Sequence, residues 1–156
     1  MYEFEVFFED NFGGVLRSVT LAIGDRDRAE DLTQEAFARA YQRWRTVSAM
    51  EHPVTWVYVV ALNAERKRWR RERSPGVETP PAVAADPAGA VVTGLIVRDA
   101  VQRLAARQRA AIALRYLADL TIADVARVMG CREGTVKATL HQALRTLRVD
   151  LQGREP

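Results

Sequence analysis

At 156 residues, 48% hydrophobic and 28% charged, the chain is long enough for one domain or two small ones and apolar enough to bury a core. No apolar run approaches the roughly 20 residues of a membrane span, Glu3 and Glu5 stand where a signal peptide carries cations, and the single cysteine, Cys131, excludes an internal disulfide. A net charge of +3 with pI near 9.4 suits a polyanionic partner, whereas two histidines and one cysteine offer no cluster of soft metal ligands, so a cytoplasmic chain without metal or cofactor is expected.

In chain order, Phe4, Phe7, Phe8, Phe12, Val15, Leu16, Val19, Ala22 and Ile23 follow the helical period. Gly13-Gly14 lies inside that run, and at roughly 1 kcal/mol per glycine it predicts a bent or interrupted helix. Gly24-Asp25-Arg26-Asp27 punctuates the chain. Ala29, Leu32, Ala36, Phe37, Ala40, Tyr41 and Trp44 then predict a second helix ending near Arg45, with Glu30, Asp31, Gln34 and Glu35 on its other face. By charge pattern alone that face is either solvated or a docking surface.

Residues 46–53 lack a period and end in Pro53, which predicts a loop before a third helix from Val54 to about Arg73. Val54, Val57, Val59 and Val60 would suit a strand, but the length and the run Ala61 to Lys67 decide for helix. Trp56, Asn63, Lys67 and Arg70 fall on one stripe of it, and Arg66, Lys67, Arg68, Arg70, Arg71 and Arg73 form a dense basic run. An aromatic, an amide and cations on one stripe are what single-stranded nucleic acid binding uses. The alternative is a core tryptophan beside solvated arginines.

Residues 74–93 carry four prolines and no period, which predicts a flexible linker. Beyond it Leu95, Ile96, Val97, Ala100, Val101 and Leu104 predict one helix. Ala110, Ala111, Ile112, Leu114, Tyr116 and Leu117 predict another, after the polar Arg107-Gln108-Arg109. Thr121 is placed to cap a third, with Asp124 as its reciprocal partner, Val125, Ala126, Val128 and Met129 as its apolar face and Gly130 as its stop. In a fourth, Val136, Leu140, Ala143, Leu144 and Leu147 point inward, while Lys137, Ala138, His141, Gln142 and Arg145 look outward. Such a helix-turn-helix fits a DNA major groove. The expectation is an all-α chain of two small domains, three helices in 1–73 and four in 94–156.

No phosphate loop, nucleophile elbow or His-Glu-x-x-His spacing occurs, so no catalytic residue is assigned. His141 lacks a carboxylate at helical spacing, and Asp31 with Glu35 lacks a third ligand. Cys131, in the turn, reads as a small buried hydrophobe or a redox sensor.

Three groups of residues carry a resemblance: Ala29-Glu30-Asp31-Leu32-Thr33-Gln34-Glu35-Ala36-Phe37; Trp56 through Asn63 to Arg73; and, after the proline-rich segment, Leu104-Ala105-Ala106-Arg107-Gln108-Arg109, Leu114-Arg115-Tyr116, Ile122-Ala123-Asp124-Val125-Ala126 and Gly134-Thr135-Val136-Lys137. In this order they resemble an extracytoplasmic-function sigma factor, the group 4 type of the sigma-70 family. The resemblance implies that 1–73 docks on the clamp of core RNA polymerase through Asp31, Gln34 and Glu35. In the same domain Trp56 belongs to the helix that melts the −10 element, Val47, Ser48 and Asn63 form a pocket for an extruded base, and Lys67, Arg70 and Arg71 hold phosphates. It implies that 94–156 meets the polymerase flap and reads the −35 element, with Lys137, Ala138, His141 and Gln142 at base edges and Arg132, Thr135 and Arg145 on phosphates. It further implies a monomer without membrane insertion, an anti-sigma factor as a further partner, and catalysis supplied by polymerase.

The chain departs from the family's pattern at Arg132, where a capping serine is usual, at Val57-Tyr58-Val59-Val60-Ala61-Leu62, where Leu-x-x-Ile-Ala-x is commoner, and at Gly13-Gly14. The alternative function is a helix-turn-helix transcriptional regulator with a helical sensor or dimerisation domain, which would bind duplex DNA unaided; a protein-protein adaptor is third.

Overall fold

The computed structural model describes residues 3–71 and 92–153, and among them there are helices and no strand. Most of the segment expected as a linker, 74–91, lies outside the described residues, as does Arg73 of the basic run.

Helix α1 (Phe4–Ile23) runs unbroken through Gly13-Gly14, so the helix is not interrupted there. Packing on both sides of the glycines offsets their low propensity. Before them, Phe7 meets Phe37 and Trp44 at ring separations of 5.7 and 4.9 Å, and Phe8 stands edge-on to Phe37 at 5.3 Å. After them, Val15, Val19 and Ala22 are buried. At its C-terminus Gly24 adopts φ +77 and its N–H donates to the Thr20 carbonyl, a left-handed stop that L side chains rarely adopt.

Helix α2 (Arg26–Gln42) starts on Asp25, whose side chain accepts from the Arg28 N–H at 3.1 Å. The expected loop begins as a one-turn helix, α3 (Trp44–Val47). The expected third helix is divided into α4 (Pro53–Leu62), a tighter 3₁₀ turn over Asn63–Glu65, and α5 (Arg66–Arg71). The turn carries Glu65, the one acid between Asn63 and Arg71, into the interior, where it is 3% exposed and ion-paired to Arg28.

Beyond the undescribed segment come α6 (Val92–Gln102), α7 (Ala106–Ile112), α8 (Ile122–Met129) and α9 (Glu133–Gln152). Helix α7 passes into a wider π turn over Ala113–Leu117, closed by Ala118 N–H donating to the Ala113 carbonyl. This leaves Tyr116 and Leu117 exposed, where the sequence period places them inward, and Leu144 at the margin of its helix is also exposed.

The buried side chains of both halves form one continuous core, with α1 against α7 and α4 against α8. Arg109, read from the sequence as part of a polar stretch, is buried in that junction. Its Nε donates to the Ala22 carbonyl at 3.0 Å and its Nη1 to the Gln102 carbonyl at 3.4 Å.

Candidate nucleic-acid interface

The helix-turn-helix has the expected outline. Thr121 accepts from the Asp124 N–H at 3.1 Å and so caps α8, while Gly130, at φ +68, ends it. The other half of the expected capping box is redirected: Asp124 Oδ1 accepts from Arg127 Nη1 at 3.1 Å. Val136, Leu140, Ala143 and Leu147 hold α9 on α8 and α7. On its opposite side Lys137, Ala138, His141, Gln142 and Arg145 are all exposed, at successive positions of one stripe.

At the start of that stripe Arg132 occupies the N-cap in extended conformation and makes no capping bond with its side chain. Thr135 is half-buried, and its carbonyl accepts from the Thr139 hydroxyl at 2.7 Å. Exposed Arg132 stands at the first turn of α9, which also carries the exposed acid Glu133.

In the first half, Asn63, Lys67, Arg70 and Arg71 are exposed along the 3₁₀ turn and α5, and Arg66 is half-buried. Burial, and then the neighbouring charge of Arg70, lower the Arg66 pKa from its ordinary value. Trp56 is half-buried and packs at the edge of the core. It lines a cleft of about 450 Å³ with Met50, His52 and Val59, whose far wall is Thr121, Asp124 and Arg127 of the second half. Asn63 lines a different groove, of about 160 Å³, with Leu32, Glu35, Arg39 and Val60. The stripe read from the sequence is thus split by the helix break, and Asn63 stands beside the acidic face of α2 rather than beside the tryptophan cleft.

On that acidic face Asp31, Gln34 and Glu35 are exposed. Gln34 donates to Glu30 Oε1 at 3.4 Å, and Glu35 is paired with Arg39 at 2.8 Å, an exposed pair worth only about 0.3–0.5 kcal/mol and open to exchange for another partner. At the 46–50 turn Val47 has no exposed surface, and the Ser48 hydroxyl donates to the Arg45 carbonyl at 3.4 Å.

Sequence reasoning misses Arg109, Glu65 and the partner of Arg66. Only Glu65 leaves a sequence signal, as a lone acid in a basic run. No group of metal-ligating side chains and no helix long and apolar enough to cross a membrane occurs among the described residues.

Two family models match the chain, Sigma-70 region 2 over residues 8–74 and Sigma-70, region 4 over residues 94–147. The RNA polymerase sigma-E factor of Streptomyces coelicolor is 31% identical over 156 residues, 98% of this chain and 88% of that protein. The ECF RNA polymerase sigma factor SigL of Mycobacterium tuberculosis is 34% identical over 152 residues, 92% of this chain and 86% of that protein. In fold the chain is similar to the sigma factor RpoE in its co-crystal with the anti-sigma factor NepR from Bartonella quintana, with a TM-score of 0.72, 23% identity and coverage of 97% and 98%.

Proposed function

The chain belongs to the sigma-70 family, as an RNA polymerase sigma factor of the extracytoplasmic-function type, and on that footing we propose how its two exposed polar stripes divide the work of promoter recognition. Residues 94–156 read the −35 element as closed duplex. The observation that carries this is the exposed stripe on α9: Lys137, Ala138, His141 and Gln142 present short or hydrogen-bonding groups to base edges, while Arg145, Thr135 and Arg132 flank them for phosphates.

Residues 1–73 dock on the polymerase clamp through Asp31, Gln34 and Glu35 and hold the opened −10 element. Unstacking a base costs a few kcal/mol, which a pocket recovers only by contacts that the correct base makes. Asn63 supplies an amide for such contacts and Ser48 a hydroxyl from the turn before α4; Val47, buried in this conformation, and Trp56, in a separate cleft, join them only when the 46–50 turn and α4 rearrange on DNA binding. Lys67, Arg70 and Arg71 are exposed cations of α5 and take the phosphates. Glu35 and Asn63 line one groove, which supports a reading in which polymerase docking adjoins base capture. The chain acts as a monomer in the cytoplasm, phosphodiester chemistry stays with polymerase, and an anti-sigma factor is a further partner. A free-standing regulator is not favoured, because the region 2 and region 4 matches occur together in one chain.

The test separates docking from opening. Asn63→Ala should leave the affinity for core polymerase within about twofold and slow promoter opening, read by permanganate reactivity of unpaired thymines, by at least about tenfold. Equal losses in both assays would remove Asn63 from the base pocket.

A further inference from the structure

Glu65 stands where a helix of this sequence calls for a core residue. Tyr58, Ala61, Leu62 and Trp69 are each at most 2% exposed. At spacings of three and four they form an inward stripe, and Glu65 falls on it. A carboxylate at such a position is strongly disfavoured unless it is paired. Its ion-pair partner is Arg28, in the first turn of α2, whose side chain stays 48% exposed. The backbone leaves the α-helix at this acid, over the three residues Asn63–Glu65, before α5 resumes. Arg66, next in the chain, is drawn elsewhere and donates to the Val128 and Arg127 carbonyls at 2.9 and 2.8 Å. A 3₁₀ turn advances about 120° per residue where an α-helix advances about 100°, so three residues of it rotate α5 by about 60° relative to a continuous helix. In an unbroken helix Trp56, Asn63, Lys67 and Arg70 would share one line. Here Trp56 lines its own cleft, Asn63 lines the groove with Glu35 and Arg39, and Lys67 and Arg70 follow the rotated phase.

We propose that Arg28 is a positioning residue for −10 recognition: through Glu65 it holds the three-residue phase shift that seats Asn63 in the groove of α2 and sets the rotation of the α5 cations about the helix axis. Glu65 is too buried to meet DNA itself, and Arg28 acts through it. Both members of the pair lie in the first half, on α2 and on the turn before α5. The hold on the helix break stands on burial and the ion pair alone; its consequence for promoters rests on the −10 roles proposed for Asn63, Lys67 and Arg70.

Glu65→Ala is the deciding variant, because it removes the buried acid, strands no charge and puts a strong helix former on the inward stripe. In the free full-length chain, the backbone carbon shifts of Asn63 and Ala64 should move to those of a continuous α-helix. Wild-type shifts there would overturn the hold on the break, with neither DNA nor polymerase involved. The second arm uses the full chain with core polymerase and promoters randomised over the −10 element. Glu65→Ala and Arg28→Ala should each weaken base discrimination by at least about fivefold at the position that Asn63→Ala affects, with affinity for core polymerase within about twofold of wild type. The double variant should lose no more than either single change, since both remove one contact. Arg28→Lys keeps a cation in reach of the acid and should hold discrimination within about twofold of wild type. A merely structural role would lower stability without moving base preference. A shift in preference with Asn63→Ala but none with Glu65→Ala would overturn the positioning role. No shift with Asn63→Ala would overturn the −10 reading of Asn63, and the promoter role of Arg28 with it. Should Arg28→Ala lose helix content by circular dichroism, Glu65→Ala decides alone.

Discussion

Replacing Arg28 by alanine isolates the buried ion pair that holds the break before α5. Glu65 is 3% exposed and Arg28 48%, so the carboxylate loses its water on folding while its partner keeps half of its own. Stranding one member of a fully buried pair costs about 3–5 kcal/mol, and an exposed pair contributes about 0–1 kcal/mol. With one partner buried and the other half-solvated, Arg28→Ala should cost about 2 kcal/mol. No aligned hydrogen bond reaches Glu65 Oε1, which places the value below the fully buried range. The assay is urea unfolding followed by circular dichroism, with the midpoint falling and the slope unchanged. Adding Glu65→Gln to Arg28→Ala removes the stranded charge and should recover about half of the loss. A loss under about 0.5 kcal/mol, or a double variant as unstable as the two single changes summed, would refute the view that Glu65 needs this partner.

Gln142→Ala should change the preferred base at one −35 position by about 1–3 kcal/mol, whereas Arg145→Ala should weaken all promoters alike and reduce the salt slope by about 1; selection from a promoter library and salt titration check the two. Arg132→Ser should restore a cap to α9 and raise stability by about 1 kcal/mol in the same urea assay, since Arg132 now makes no capping bond. Burial raises the Tyr58 phenol pKa, against the lowering effects of its Ser18 hydrogen bond and of Arg17. With the folded pKa above the unfolded value of about 10, its contribution is fully present below that pH and is lost as pH rises through the folded value, so Tyr58→Phe should flatten the fall in urea midpoint above about pH 10.

Local signals are legible where period and cap agree. Thr121, Gly130 and the Val136, Leu140, Ala143, Leu147 stripe are enough to outline the helix-turn-helix, because each acts within a few residues of itself. The same reasoning overstates Gly13-Gly14 as an interruption, since the aromatic cluster that packs on α1 comes from α2 and the turn after it. It also misreads Tyr116 and Leu117, because a π turn changes the period on which the reading rests. The candidate site is legible as residue types but not as an arrangement. Asn63 and Trp56 share a helical stripe only while the helix is continuous, and the break at Asn63–Glu65 follows from Glu65 reaching Arg28, a partner on another helix. Arg66 and Arg109 find their acceptors 62 and 87 residues away, beyond any periodic signal.

The central claim is tested most directly by transcription reconstituted from purified core RNA polymerase, this chain and a library of genomic fragments, with transcript ends sequenced. Initiation should occur only when the chain is present, at discrete starts preceded by two shared elements at fixed spacing, and Gln142→Ala and Asn63→Ala should act on the upstream and downstream element respectively. Absence of promoter-specific transcripts, together with tight duplex binding by the chain as a dimer without polymerase, would contradict it.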